Sequence, residues 1–171
     1  LWAEMGLAMH KMGEEAVVSL SDFSLEGSHR KKLRTAYNRA GRDGLSFEML
    51  NAPVDDATMD VLQQISDQWL EDKNSSEKQF SVGRFDKDYL RQFPIAVVRH
   101  DGRIVAFANV LRTEIKETAT IDLMRHVSDA PSGLMDYLFT TLMLSLKEDG
   151  FSKFSLGMAP LSGLEGRRGG R

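Results

Sequence analysis

Phe93-Pro-Ile-Ala-Val-Val-Arg-His-Asp-Gly-Arg-Ile-Val-Ala-Phe-Ala-Asn-Val-Leu-Arg112 is the stretch on which the fold turns. Two runs rich in β-branched and aromatic residues flank Asp101-Gly102, a dipeptide that favours the positive φ angles of a tight hairpin. The pattern predicts strands over 95–100 and 103–112, opened by Pro94, and a third over 118–124. Upstream, 14–20 reads as a strand stopped by Ser21-Asp22, and 25–42 as a helix closed by Gly41 and Gly44. Leu45-Ser-Phe-Glu-Met-Leu50 alternates with strand period. Asp55 or Asp56 can cap a helix over 57–70, in which Met59, Leu62, Ile65 and Trp69 share one face. A polar loop from residue 71 precedes a short helix near 87–91. Downstream lie a helix over 134–148 and a strand over 153–156. Strands and helices in this order predict an α/β or α+β domain, a mixed central sheet flanked by helices.

The chain has 171 residues, of which 42% are hydrophobic, so one core-forming domain is expected and wholesale disorder is excluded. It contains no cysteine, which removes disulfides, thiolate metal sites and cysteine nucleophiles together. The four histidines, at 10, 29, 100 and 126, lack metal-site spacing, and no Gly-rich phosphate loop or Gly-x-Ser-x-Gly elbow occurs. The longest apolar-leaning stretch, Leu134 to Leu146, falls short of the roughly 20 residues that span a bilayer. The first residues do not read as a signal peptide, and they lack an initiator Met, which suggests a piece of something longer.

Charge is unevenly spread. The net charge is −3, yet residues 26–44 hold six basic and two acidic groups, +4, leaving −7 elsewhere. Leu33, Ala36, Tyr37 and Ala40 cluster on one arc of the predicted helix, while Arg30, Lys31, Arg34 and Arg42 fan over another. Such a surface suits phosphate backbones; the bland alternative is a solvated helix face. A second feature is Asp122-Leu-Met-Arg125, a carboxylate and a guanidinium three residues apart where a strand is expected to give way to a loop. In a regular strand the two would face opposite sides, so joint action requires the backbone to leave strand geometry near Met124. The alternative here is a surface ion pair. Third, Leu156-Gly-Met-Ala-Pro-Leu-Ser-Gly-Leu-Glu165 is an apolar loop punctuated by Gly and Pro. It suits either a substrate channel lining or a buried turn.

These stretches, with Phe23-Ser-Leu-Glu-Gly-Ser-His-Arg-Lys-Lys-Leu-Arg34, Phe80-Ser-Val-Gly-Arg-Phe-Asp86 and Val105-Ala-Phe-Ala-Asn109, occur in an order that resembles the soluble catalytic region of bacterial aminoacyl-phosphatidylglycerol synthases. These are the lysyl-phosphatidylglycerol synthases, or multiple peptide resistance factors. The resemblance covers roughly residues 5–165. It implies a GNAT-like acyltransferase fold over 1–165, the second half of a tandem pair, with 166–171 a tail. The family's integral membrane domain and first acyltransferase-like half are not among these residues. The resemblance therefore implies a longer parent on the cytoplasmic face of the bacterial inner membrane, the fragment itself being soluble.

The implied reaction moves an aminoacyl group, lysyl in the first instance, from aminoacyl-tRNA to a glycerol hydroxyl of phosphatidylglycerol. The product lipid gains positive charge and repels cationic antimicrobial peptides. The family's required Asp and Arg fall on Asp122 and Arg125. Asp122 would orient or deprotonate the lipid hydroxyl or hold the ammonium, and Arg125 would bind the lipid phosphate or the oxyanion. Arg30, Lys31, Arg34 and Arg42 would meet tRNA phosphates. Gly157, Met158, Pro160, Leu161, Ser162 and Glu165 would line the substrate tunnel, with Glu165 facing the aminoacyl ammonium. An activated ester needs only positioning and oxyanion support, so no cofactor or metal is expected. The implied partners are aminoacyl-tRNA, phosphatidylglycerol, the membrane through the parent's transmembrane domain, and a second copy as a candidate homodimer. Two alternatives stand beside this: an acetyl-coenzyme A-dependent N-acyltransferase, disfavoured by Asp129 and Pro131 before the last helix, and a non-catalytic tRNA-binding or dimerisation module.

Overall fold

The computed structural model describes residues 13–72 and 84–160. Six strands form one sheet: β1 (Gly13–Ser19), β2 (Leu45–Leu50), β3 (Ile95–His100), β4 (Arg103–Arg112), β5 (Thr118–His126) and β6 (Lys153–Pro160). Four helices accompany them: α1 (Lys31–Arg42), α2 (Asp56–Asp72), α3 (Lys87–Leu90) and α4 (Leu134–Glu148). The spatial order is β1-β6-β5-β4-β3-β2. Neighbours are antiparallel except β5 and β6, which run parallel. The mixed sheet expected from the sequence is present, and Asp101 and Gly102 both take positive φ at the β3–β4 hairpin.

Side-chain parity assigns the helices to faces. Arg112, Ala119 and Phe154 share one face through the register Arg112↔Ala119 and Ala119↔Phe154. Phe139 of α4 meets Phe154 there with ring centroids 6.4 Å apart. Tyr37 of α1 stacks on Tyr137 of α4 at 5.4 Å, so α1 rides with α4. Phe107 and its partner Arg125 lie on the opposite face, where Phe85 meets Phe107 edge-on at 6.0 Å and Trp69 of α2 covers Arg125. Ion pairs of Lys87 with Asp60 (2.5 Å) and of Arg91 with Asp56 tie α3 to α2. Both faces of the central strands are thereby covered, and Val97, Phe107, Leu123, Leu138 and Phe154 are fully buried between the layers. Burying each such side chain contributes roughly 1.5–3 kcal/mol.

Four element boundaries depart from expectation by two residues or more. The first helix starts at Lys31, not near residue 25, because Gly27 sits at φ +86°, outside the right-handed helical region. Arg34 secures this turn by donating through Nη1 to the Leu25 carbonyl at 2.5 Å and the Gly27 carbonyl at 3.2 Å. The second helix extends to Asp72, capped by Asp55, which accepts the Thr58 N–H at 2.9 Å. Two strands also outrun their predicted ends: β5 continues to His126 and β6 to Pro160. Residues 158–160 therefore belong to a strand, not to a loop.

Candidate active site at the divergence of β5 and β6

The two parallel strands β5 and β6 pair over only three positions, Thr118↔Lys153, Ala119↔Phe154 and Thr120↔Ser155. A hydrogen bond from the Thr120 hydroxyl to the Ser155 carbonyl, 3.0 Å, closes this joint. Beyond it the strands run on without pairing to each other. Backbone N–H and C=O groups that a continuous sheet would consume are thus released where the strands part.

Asp122 lies two residues past the joint, and its surroundings answer the question of parity. Ala108 pairs with Met124 and Val110 pairs with Ile121, so Asp122 and Leu123 together oppose the single residue Asn109. This β-bulge adds one residue to β5. Ile121 and Met124, three apart, consequently share the α1/α4 face. Asp122, next to Ile121, and Arg125, paired with Phe107, share the α2/α3 face. For these two side chains to cooperate the sequence requires the backbone to leave regular strand geometry near Met124; it does so by bulging at residues 122–123, while the strand itself continues to His126. Asn109 is fully buried, and its Oδ1 accepts the Leu123 N–H at 2.6 Å.

On this shared face, the Arg125 guanidinium carbon stands 4.2 Å from the centroid of the Trp69 ring, a cation–π contact that fixes the plane of the fork. Its Nη1 also donates to the Met124 carbonyl at 3.0 Å. Asp122 is half-buried, and its Oδ1 is shielded from solvent with no hydrogen-bond partner among the described residues. The Tyr89 hydroxyl of α3 is raised above the ordinary tyrosine value, first by desolvation and then by the negative charge and hydrogen bonding of Asp122. The Asp122 carboxylate and the Arg125 guanidinium thus share one face of β5 beyond the point where it leaves β6, with the Tyr89 hydroxyl beside Asp122. Sequence reasoning gives no role to Tyr89 or to Asn109: Asn109 closes the stretch Val105–Asn109 but acquires its role only through the β4–β5 register, and Tyr89 only through the packing of α3 beside Asp122.

β6 carries a bulge at the same level. Glu15 pairs with Met158 and Val17 with Ser155, so Leu156 and Gly157 oppose Ala16. Gly157 takes φ +86°, and its N–H donates to the Ser155 hydroxyl at 3.0 Å, while that hydroxyl donates to Glu15. Of the expected tunnel residues, Gly157 is half-buried at this bulge and Met158 and Pro160 are positions of β6. Leu161, Ser162 and Glu165 lie outside the described residues.

The basic helix sits elsewhere. α1 belongs to the α4 face, so the sheet separates it from Asp122 and Arg125. Arg30 precedes the helix and stacks over Phe23, 5.6 Å from the ring centroid. Arg34 is committed to the turn at residues 25–27, and Arg42 donates to the Asn38 carbonyl at 3.3 Å. Lys31 lines a groove of about 690 Å³ between α1 and the start of α4, together with Lys32, Arg39, Ser132, Gly133 and Asp136. A helical wheel does not single out Lys32 and Arg39. The loop before α4 carries Asp129, ion-paired with Arg103 at 3.3 Å, and Asp136 lies in the first turn. A carboxylate in the first turn of a helix opposes a pyrophosphate bound at that N-terminus.

No described helix is long and apolar enough to cross a membrane. The sheet with its paired helices is similar to a GCN5-related glucosamine N-acetyltransferase region of a fungal protein, at 12% identity and a TM-score of 0.58, covering 94% of this chain and 20% of that one. That likeness establishes a GNAT-like fold alone. The L-PGS structure from Bacillus licheniformis is 41% identical with a TM-score of 0.84, covering 95% of this chain and 52% of that chain. Phosphatidylglycerol lysyltransferase of Bacillus subtilis (strain 168) is 44% identical over 163 residues, 95% of this chain. The chain spans only 19% of that relative's length. The family model for the C-terminal part of phosphatidylglycerol lysyltransferase matches residues 1–171, and the chain belongs to that family.

Proposed function

We propose that this chain supplies the acceptor-activating half of a phosphatidylglycerol lysyltransferase, with residues 1–165 as its GNAT-like domain and 166–171 as a tail. The observation that carries the reading is the β5 bulge, which sets Asp122 and Arg125 on one face at the mouth of the β5–β6 divergence. The donor is lysyl-tRNA, whose ester is already activated. The glycerol hydroxyl of phosphatidylglycerol attacks the ester carbonyl; a new C–O bond forms and the bond to the tRNA ribose oxygen breaks. Asp122 takes the hydroxyl proton, which returns to the departing ribose oxygen. Arg125 neutralises the oxyanion or the lipid phosphate, as a preorganised guanidinium can in a water-poor site.

Membrane contact comes through a transmembrane domain outside these residues, on the cytoplasmic face where aminoacyl-tRNA is found. The product carries added positive charge and lowers the affinity of the surface for cationic antimicrobial peptides. The basic α1 face and the Lys31–Arg39 groove meet tRNA phosphates on the far side of the sheet, and Gly157 with the residues after it borders the substrate path. A homodimer is the assembly proposed with this reading.

The test is Asp122→Asn and Arg125→Ala in the full-length protein, with lipids separated on thin-layer plates after supply of lysyl-tRNA and of alanyl-tRNA. Both variants are expected to lose lysyl-phosphatidylglycerol; normal lipid levels in both would refute the site. Product from alanyl-tRNA alone would replace lysine as the donor amino acid.

A further inference from the structure

Asn109 is a polar side chain in a place where nothing about packing calls for one. Residues 104–110 of β4 are all buried, and every other member of that run is apolar. A carboxamide there loses its hydration and gives less apolar contact than Leu or Val would. Its Nδ2 has no partner among the described residues, so the side chain is only half used. The half that is used binds one atom, the Leu123 N–H, at 2.6 Å. That N–H belongs to the two-residue β5 bulge. Two residues of β5 oppose one of β4, so the ladder lacks a backbone carbonyl for one of them, and the Asn109 Oδ1 stands in for it.

We infer that Asn109 is a positioning residue for the transfer reaction: its carboxamide holds the two-for-one register of β5, and this register alone keeps Asp122 and Arg125 on the same face. This rests on the proposed function only for the word transfer; the geometric part stands by itself. An apolar residue at 109 would leave the Leu123 N–H buried and unpaired. β5 could then relieve the penalty by sliding one residue, and a slip of one residue sends every following side chain to the other face. Asp122 would keep its place next to Ile121 while Arg125 turned toward α4. Such a change separates the two groups without removing either.

The test uses Asn109→Leu and Asn109→Ala in the full-length protein beside wild type and Asp122→Asn. Four quantities are followed: kcat and KM for lipid transfer, the unfolding midpoint, and amide hydrogen exchange at Leu123. Both Asn109 variants are expected to lose about 100-fold in kcat, because Arg125 leaves the face that holds Asp122, with KM for lysyl-tRNA unchanged. Exchange at Leu123 should accelerate while that of Val97 and Val98 in β3 stays slow. A kcat equal to wild type, or a kcat that falls only in step with the fraction of folded protein, overturns the inference. If wild type transfers nothing, the proposed function fails instead. Leu123 exchange then decides the geometric part: acceleration in Asn109→Leu upholds it, and unchanged protection refutes it.

Discussion

Tyr89 is 41% exposed, yet its phenol ionises at higher pH than an ordinary tyrosine. Desolvation is the larger cause and the Asp122 charge the second, because a phenolate beside a carboxylate meets like charge. The sign of a perturbation follows directly. Asp122→Asn removes the repulsion and leaves the desolvation, so the Tyr89 transition should move down toward, without reaching, the ordinary value near 10. Ring-labelled tyrosine followed by NMR across alkaline pH distinguishes it from Tyr37 and Tyr137. An unmoved Tyr89 transition in Asp122→Asn would mean that the hydroxyl does not sense the carboxylate. At neutral pH the phenol keeps its proton and can donate to one Asp122 oxygen. Under the proposed reaction the other oxygen is the one that would meet the acceptor hydroxyl.

At the scale of elements, α1 shows why a helical wheel is an incomplete guide to a binding surface. The wheel groups Arg30, Lys31, Arg34 and Arg42, but Arg34 turns back to two carbonyls and Arg30 lies before the helix begins. Replacing Lys31, Lys32 and Arg39 by alanine should therefore weaken tRNA binding more than replacing Arg30 and Arg42. Filter binding over a salt series should show the log–log slope flattened by about one for each phosphate that the protein no longer neutralises. Arg34→Ala, by contrast, should lower the unfolding temperature. A slope unchanged by the triple substitution would reduce the groove to a solvated face. The same contrast explains what is legible in the sequence. Strand periodicity and Asp101-Gly102 locate β2, β3 and β4 at their observed limits, because those signals are local. The start of α1 depends on the conformation chosen at Gly27, and the bulge in β5 depends on how two strands register against each other. Neither is written in one strand alone. Asp122 and Arg125 can be found as a motif, but their common face cannot.

For the molecule as a whole, the sheet is two ladders joined by a short seam. On one side, β2, β3, β4 and β5 pair along their lengths; on the other, β1 and β6 form an antiparallel pair. Three residue pairs connect them, supported by the Phe139–Phe154 contact and by Lys147, whose Nζ donates to the Ser21 and Phe23 carbonyls at 2.9 and 2.8 Å. Local opening free energy follows the buried surface and hydrogen bonding that must be given up, so the seam should open before either ladder. Hydrogen exchange under native conditions is expected to release β1 and β6 together at lower free energy than β3 and β4. Phe154→Ala removes a fully buried ring at the seam and should cost about 3–5 kcal/mol. Its exchange signature should be selective, with protection falling in β1 and β6 first and in β3 last. A uniform fall across all six strands would show instead that the sheet opens as one unit. A seam that yields first has a consequence for the chemistry beside it. Asp122 stands two residues from its end, so widening the seam enlarges the opening beside it while the β4–β5 register, and the placement of Asp122 and Arg125 with it, stays intact.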